Sequence, residues 1–188
     1  MLNQEELPKR KKLRVATASL SGCFGCHMSF LDMDENLLAL VELVDFDRSP
    51  ITDVKHCSSA CDIGIIEGGV CNSENVHVLH EFRKSCRTLI ALGACAVNGG
   101  LPTLRNRLDV REVLREVYFE MPGVLGNTIP NDVELPLLLK KVHPINEIVR
   151  VDYFIPGCPP SGDAIFKFLT DLIAGRTPRL DYPQMHFD

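Results

Sequence analysis

Short apolar runs, each closed by a polar or glycine-bearing break, recur along the chain. Leu13 to Leu20 is a run of small and β-branched residues and predicts a first strand. Ile63-Gly64-Ile65-Ile66 is apolar throughout and stops at Glu67-Gly68-Gly69, which suits a strand buried on both faces of a parallel sheet. Thr88 to Leu92 repeats the pattern and ends at Gly93-Ala94-Cys95, and Tyr153-Phe154-Ile155 ends at Pro156-Gly157-Cys158-Pro159-Pro160. Between these runs the apolar positions fall at helical spacing. Phe30, Leu31, Leu37, Leu38, Leu40 and Val41 predict a helix over 28–43, and Val76, Val78, Leu79 and Phe82 predict one over 74–85. Val41 to Phe46 overlaps the first helix and predicts a second strand. Val110 to Phe119 has helical character, whereas 121–136, with three prolines and two glycines, predicts a long loop. Leu135 to Val142 reads as a short helix with Pro136 in its first turn. A last helix runs from Ser161 or Gly162 to about Ala174, with Gly175 as its C′ residue.

Strands alternating with helices predict an α/β fold, a parallel sheet with helices on both faces. No internal repeat is visible, so residues 1–188 are expected to form a single domain with short tails at about 1–12 and 176–188. The first tail ends in Lys9-Arg10-Lys11-Lys12, which reads as a solvated arm.

Composition narrows the function classes. A chain of 188 residues, 45% apolar, can bury a core without disulfides or metal. Lys plus Arg number 20 against 25 Asp plus Glu, a net charge of −5, which argues against general nucleic-acid binding. No apolar stretch approaches the ~18 residues of a membrane span. The polar start Met1-Leu2-Asn3-Gln4-Glu5-Glu6 leads into no apolar h-region, so a cytoplasmic location with reduced thiols is expected.

Eight cysteines then need an explanation: 23, 26, 57, 61, 71, 86, 95 and 158. Ligands of open α/β sheets bind at the carboxyl ends of the strands. Cys23 and Cys26, Cys95 and Cys158 all follow predicted strand ends, so loops far apart in sequence bring four thiols to one sheet edge. That set matches the ligand count of an iron–sulfur cubane. Structural zinc sites use two close pairs, and only one such pair exists among these four. Cys57, Cys61 and Cys71 are candidates for a second cluster or metal, and Cys86, at a predicted helix end, for a packed thiol. Glu67 is a candidate for a proton relay or cluster tuning, or for capping the Gly68-Gly69 turn. His27 is placed to donate to a cluster sulfur or to face a partner, and His77 and His80 read as surface residues of one helix face. The Ser19-Leu20-Ser21-Gly22 loop could hold the phosphate of FMN, but the interposed Cys23 and Cys26 argue against a flavin as the main function.

The ordered set Cys23-Phe24-Gly25-Cys26, Ile66-Glu67-Gly68-Gly69, Gly93-Ala94-Cys95-Ala96 with Gly99-Gly100, and Gly157-Cys158-Pro159-Pro160 resembles the small, electron-transferring subunit of nickel–iron hydrogenases. The resemblance spans about 13–175 and is closest to the short cytoplasmic type found in soluble NAD-reducing enzymes. It lacks an extended C-terminal cluster region and a twin-arginine signal, and His27-Met28 stands where periplasmic types carry a Ser-Glu pair. The resemblance implies a flavodoxin-like domain whose Cys23, Cys26, Cys95 and Cys158 hold one proximal 4Fe-4S cluster. It implies a large subunit carrying the nickel–iron centre, where hydrogen is split, and a diaphorase module with further iron–sulfur clusters and FMN that exchanges electrons with NAD. The chain would then be part of an oxidoreductase with no complete active site of its own. An interface is expected around 21–30, 67–72, 96–104 and 158–163. The rival resemblance is to the cluster-bearing subunit of NADH:quinone oxidoreductase, whose first motif has adjacent cysteines where Phe24-Gly25 intervenes here. A zinc-stabilised interaction module is a third class.

Overall fold

The computed structural model describes residues 12–52, 54, 56, 57, 60–125 and 128–185. The expected N-terminal tail, with its basic run up to residue 11, and residues 186–188 lie outside the described residues.

Five parallel strands form the main sheet: β1 (Leu13–Ser19), β2 (Val44–Phe46), β3 (Cys61–Glu67), β5 (Cys86–Leu92) and β7 (Tyr153–Ile155). Their spatial order is β2-β1-β3-β5-β7, the 2-1-3-4-5 winding of flavodoxin-like sheets. The apolar runs explain this burial. Successive side chains of a strand point to opposite faces, so Ile90 and Leu92 join one core while Leu89 and Ala91 join the other. The first core packs Phe30, Leu40, Ile165 and Phe168 from α1 (Gly25–Leu31), α2 (Glu35–Val41) and α6 (Gly162–Ile173). The second packs Leu79 and Phe82 from α3 (Ser73–Ser85) and Ala96 from α4 (Gly93–Asn98). Helices thus cover both faces, as expected. Among the described residues no helix is long and apolar enough to cross a membrane.

Three local expectations change. The helix predicted over 28–43 is two helices, broken where Asp34 takes φ 50°, outside helical backbone space. Cys95 lies within α4 rather than in an open loop. Leu135 to Val142 is not a helix: Leu138–His143 is strand β6, antiparallel to β4 (Val70–Asn72). The physical reason is a partner remote in sequence. Asn106 donates to the Val142 carbonyl (2.8 Å) and accepts from the Val142 amide (2.7 Å), and Arg105 donates to the Leu139 carbonyl (2.8 Å). Tertiary pairing overrides helix propensity. Farther along, α5 (Val110–Arg115) continues into a wider π turn at Glu116–Glu120, consistent with the expected helical character.

Asp152 ties β7 to β5. Its Oδ2 accepts from the Leu89 amide (2.8 Å) and from Arg83 (2.7 Å). Burial pushes its carboxyl up, but the Arg83 guanidinium and the Leu89 amide outweigh burial and hold it below the usual range. A depressed carboxyl contributes stability above its unfolded pKa, and that stability is lost as pH falls through the folded value. Asp152→Ala is therefore expected to lower unfolding free energy by about 1–3 kcal/mol at pH 7. The variant should also lose less stability than wild type between about pH 5 and pH 2. Urea titrations at the two ends of that window check both.

Candidate metal centre

The carboxyl edge of the sheet gathers the four loops singled out above. Cys23, Cys26, Glu67, Cys95 and Cys158 line one small cavity of about 60 Å³. Cys23 and Cys158 are exposed, Cys95 is half-buried and Cys26 is buried. The loops are stitched by backbone. Ser21 and Gly69 exchange two hydrogen bonds (2.9 and 2.7 Å), the Ala94 amide donates to the Gly157 carbonyl (2.7 Å), and Ser29 Oγ donates to the Pro160 carbonyl (2.5 Å). The Gly25 amide donates to Cys23 Sγ at 3.4 Å, a contact that stabilises a thiolate.

Glycines keep space clear beside the sulfurs. A Cβ at Gly93 would lie 2.2 Å from Cys26 Sγ, and Gly93 holds φ +81°, where side chains are strained. A Cβ at Gly100 would lie 3.0 Å from Cys95 Sγ.

The thiols are mutually unfavourable as bare anions. Burial pushes the Cys26 thiol far above its ordinary value, and the neighbouring Glu67 charge adds to this. Burial raises Cys95 as well, reinforced by Cys158 and Cys23. Cys26 and Cys95, held up in this way, need a cation beside them to become thiolates. The donor set and the glycine-lined space fit an iron–sulfur cubane held by Cys₄.

Glu67 is buried, at 2% exposure. Its Oε2 accepts from the Cys26 amide at 3.0 Å. Its Oε1 lies 2.9 Å from His27 Nδ1, too bent for a hydrogen bond, and among the described residues neither atom has a hydrogen-bond partner. Burial pushes the Glu67 carboxyl up, but His27, Ser19 and Cys26 together bring it below the usual range. The Gly69 amide donates to Ser21, not to Glu67, so the carboxylate faces Cys26 rather than capping that amide. His27 is also buried. Its Nε2 meets Thr17 Oγ1 at 3.0 Å, and its ring stacks on Phe24 (4.7 Å, 7°). The expectation that His27 faces a partner is thereby corrected: the ring is enclosed between Thr17, Glu67 and Phe24.

The family of the 20 Kd subunit of NADH ubiquinone oxidoreductase matches residues 23–172. The chain belongs to that family. Its relatives include hydrogenase subunits. It is 49% identical over 169 residues to the delta subunit of the NAD-reducing hydrogenase HoxS of Cupriavidus necator, covering 88% of this chain and 80% of that one. It is 33% identical over 184 residues to the iron-sulfur subunit of the F420-non-reducing hydrogenase of Archaeoglobus profundus, covering 88% of this chain and 57% of that longer one. A chain in a crystal structure of an NAD+-reducing [NiFe]-hydrogenase in the H2-reduced state superposes with a TM-score of 0.91 at 57% identity, over 95% of this chain and all of that one. The chain is thus homologous to the small subunit of an NAD-reducing hydrogenase, and the quinone-reductase alternative is not favoured.

In this hydrogenase homologue the other cysteines divide differently from expectation. Cys61 opens β3, while Cys71 lies in β4, beyond the opposite end of β3. Cys57, Cys61 and Cys71 are not brought together, so they do not form one second site. Cys61 is instead the register partner of Cys86, and Cys57 packs against the core cluster that holds both. Thr17, beside His27, went unnoticed in the sequence, and Ser19, read there only as part of a candidate phosphate loop, stands beside Glu67. Their only signal is alternation: in β1 they are register partners of Ile65 and Glu67.

Proposed function

We propose that this chain is the electron-transferring small subunit of a cytoplasmic NAD-reducing nickel–iron hydrogenase, with Cys23, Cys26, Cys95 and Cys158 as ligands of one 4Fe-4S cluster. The observation that carries the reading is the convergence of these four thiols, from four separate strand-end loops, on one cavity. The cluster would supply single-electron transfer. The chain contributes a pocket tuned by the Gly25 amide and the buried Glu67 charge, both levers on cluster potential. Cys23 and Cys158 are exposed to solvent, as is Leu101, whose backbone contacts Cys95. This open edge of the cavity suits burial against a large subunit carrying the nickel–iron centre. Electrons would pass on to diaphorase subunits with further iron–sulfur clusters and FMN.

The decisive experiment is the metal content of the tagged chain, purified without oxygen together with what it holds. About four irons per chain are expected from this subunit, with nickel on a larger co-purifying partner. Zinc without iron overturns the proposal. Iron without nickel moves the function to the quinone-reductase relative.

Glu67→Gln tests the tuning. Removing one negative charge beside the cluster favours its more negative, reduced form, so the potential should rise. For a charge lining the same cavity, a shift on the order of 100 mV is expected. Redox-monitored electron paramagnetic resonance reads the shift. An unmoved midpoint would mean that the Glu67 charge does not act on the cluster.

A further inference from the structure

A second group of thiols stands at the opposite edge of the sheet. Cys61 and Cys86 are the first residues of β3 and β5 and are register partners. The cavity described above lies at the other ends of these strands. From Cys61 to Glu67 the strand runs about 20 Å at ~3.3 Å per residue, so this group is separate from the metal centre. Cys57, a few residues before β3, packs against the core cluster that holds both Cys61 and Cys86, close enough to Cys86 for the two thiols to perturb one another.

We propose that Cys57 and Cys86 are a redox-active dithiol that a hydroperoxide oxidises to an intramolecular disulfide.

The two partners differ in the way the chemistry requires. Cys57 is part-exposed and reachable by a small oxidant, whereas Cys86 is 4% exposed. Cys57 itself is anchored: its amide donates to Glu81 Oε1 at 3.1 Å, and Glu81 Oε2 accepts from Arg48 at 2.7 Å. Arg48 in turn lies over the Phe82 ring, 5.2 Å from its centroid. The guanidinium is thereby fixed beside the Cys57 sulfur. Contact with Cys86, and after it the Arg48 charge, bring the Cys57 thiol below its ordinary value against burial and Glu81. Cys86 is pushed well above its own, by contact with Cys57 and Cys61 and by burial. A part-exposed thiol made more acidic beside a cation, with a second, buried and less acidic thiol in the same core, is the arrangement of oxidant-sensing cysteines.

Cys61 is the weaker partner. Contact with Cys86 lowers it too, but it is 3% exposed and its thiol is engaged by the carbonyls of Arg14 (3.4 Å) and Ile63 (3.3 Å).

The reaction balances in two steps. The Cys57 thiolate attacks the peroxide; an S–O bond forms, the O–O bond breaks, and the leaving hydroxide takes a proton to become water. The Cys86 sulfur then attacks the Cys57 sulfenic acid; the S–S bond forms, the S–O bond breaks, and the Cys86 proton leaves with the hydroxyl as a second water. Two thiols lose two electrons and one hydrogen peroxide becomes two waters.

The test treats the intact complex, purified without oxygen, with one equivalent of hydrogen peroxide. Free thiols are then alkylated and the peptides mapped without reduction. A linked Cys57–Cys86 peptide, abolished by dithiothreitol and by Cys57→Ser and retained in Cys61→Ser, is expected. Cys86→Ser should instead accumulate sulfenic acid at Cys57, trapped by dimedone. Should that buried variant fail to fold, Cys57→Ser, on the part-exposed loop, carries the test alone. Full alkylation of both residues after peroxide is consumed would overturn the proposal, as would a Cys57–Cys61 link. Zinc bound to the untreated complex and lost in Cys57→Ser would also overturn it, in favour of a metal site.

Discussion

Cys95→Ser is expected to strip the chain of iron, from about four atoms to fewer than about one per chain, and to abolish hydrogen-linked NAD reduction by the complex. Cys95 is one of four thiols lining a cavity of about 60 Å³, and it sits on α4 immediately after β5. A serine there keeps the volume but offers a hydroxyl that does not ionise near neutral pH, so one corner of a cubane loses its anionic ligand. The remaining three thiols do not compensate. Cys26 is disfavoured as a thiolate by burial and by Glu67, so it depends on the metal that the other ligands help retain. The loss should therefore be cooperative, with iron, the visible absorption of the cluster and activity disappearing together, rather than by one quarter. Cys71→Ser is the matched control. Cys71 lies in β4 and is absent from the cavity lining, so iron content should stay at the wild-type level. Iron analysis of the two purified complexes decides the matter. A Cys95→Ser chain that keeps full iron and activity would remove Cys95 from the ligand set and leave the proposed cubane one ligand short.

The main sheet was legible because its strands advertise themselves locally. Ile63 to Ile66 and Thr88 to Leu92 are apolar without interruption and end at residues that stop strands, so both strand and site edge follow from one pattern. The convergence of Cys23, Cys26, Cys95 and Cys158 then follows from the rule that ligands sit at carboxyl ends. The pairing of β4 with β6 was not legible. Val70 and Asn72 meet His143 and Leu138, some seventy residues away, and the run Leu135-Pro136-Leu137-Leu138-Leu139 carries no period that separates strand from helix. The surroundings of Glu67 were half-legible. Its burial followed from its place at the end of an apolar strand, but its acceptor role toward the Cys26 amide, 41 residues distant, depends on how α1 docks. His27 was misjudged for the same reason, since adjacency to Cys26 says nothing of which way a helix turns its side chain. The thiol group at the other edge needed the register of β3 against β5, which pairs Cys61 with Cys86 and leaves Cys71 elsewhere.

Gly93→Ala should cost nearly as much function as loss of a ligand, although it removes no thiol. Two effects act at this position and can be separated. Gly93 holds φ +81°, where an L side chain costs roughly 1–2 kcal/mol. Gly123 holds φ +88° with nothing within 4 Å of an added Cβ, so Gly123→Ala reports the backbone effect alone: a small loss of stability, unchanged iron. At Gly93 the new methyl would stand 2.2 Å from Cys26 Sγ and 3.5 Å from the Gly157 carbonyl. No rotation of the methyl relieves that contact, and Cys26 cannot easily retreat, because its amide is tied to Glu67 and α1 to the Pro160 carbonyl. The sulfur must move by more than an ångström, away from its place in the cavity that it lines with the other three. Iron retention is therefore expected to fall at least tenfold in Gly93→Ala, while its far-ultraviolet circular dichroism stays near wild type. Gly93→Ala with full iron would mean that Cys26 reaches its partners from a different position, and that the glycine serves the turn at the end of β5 rather than the metal.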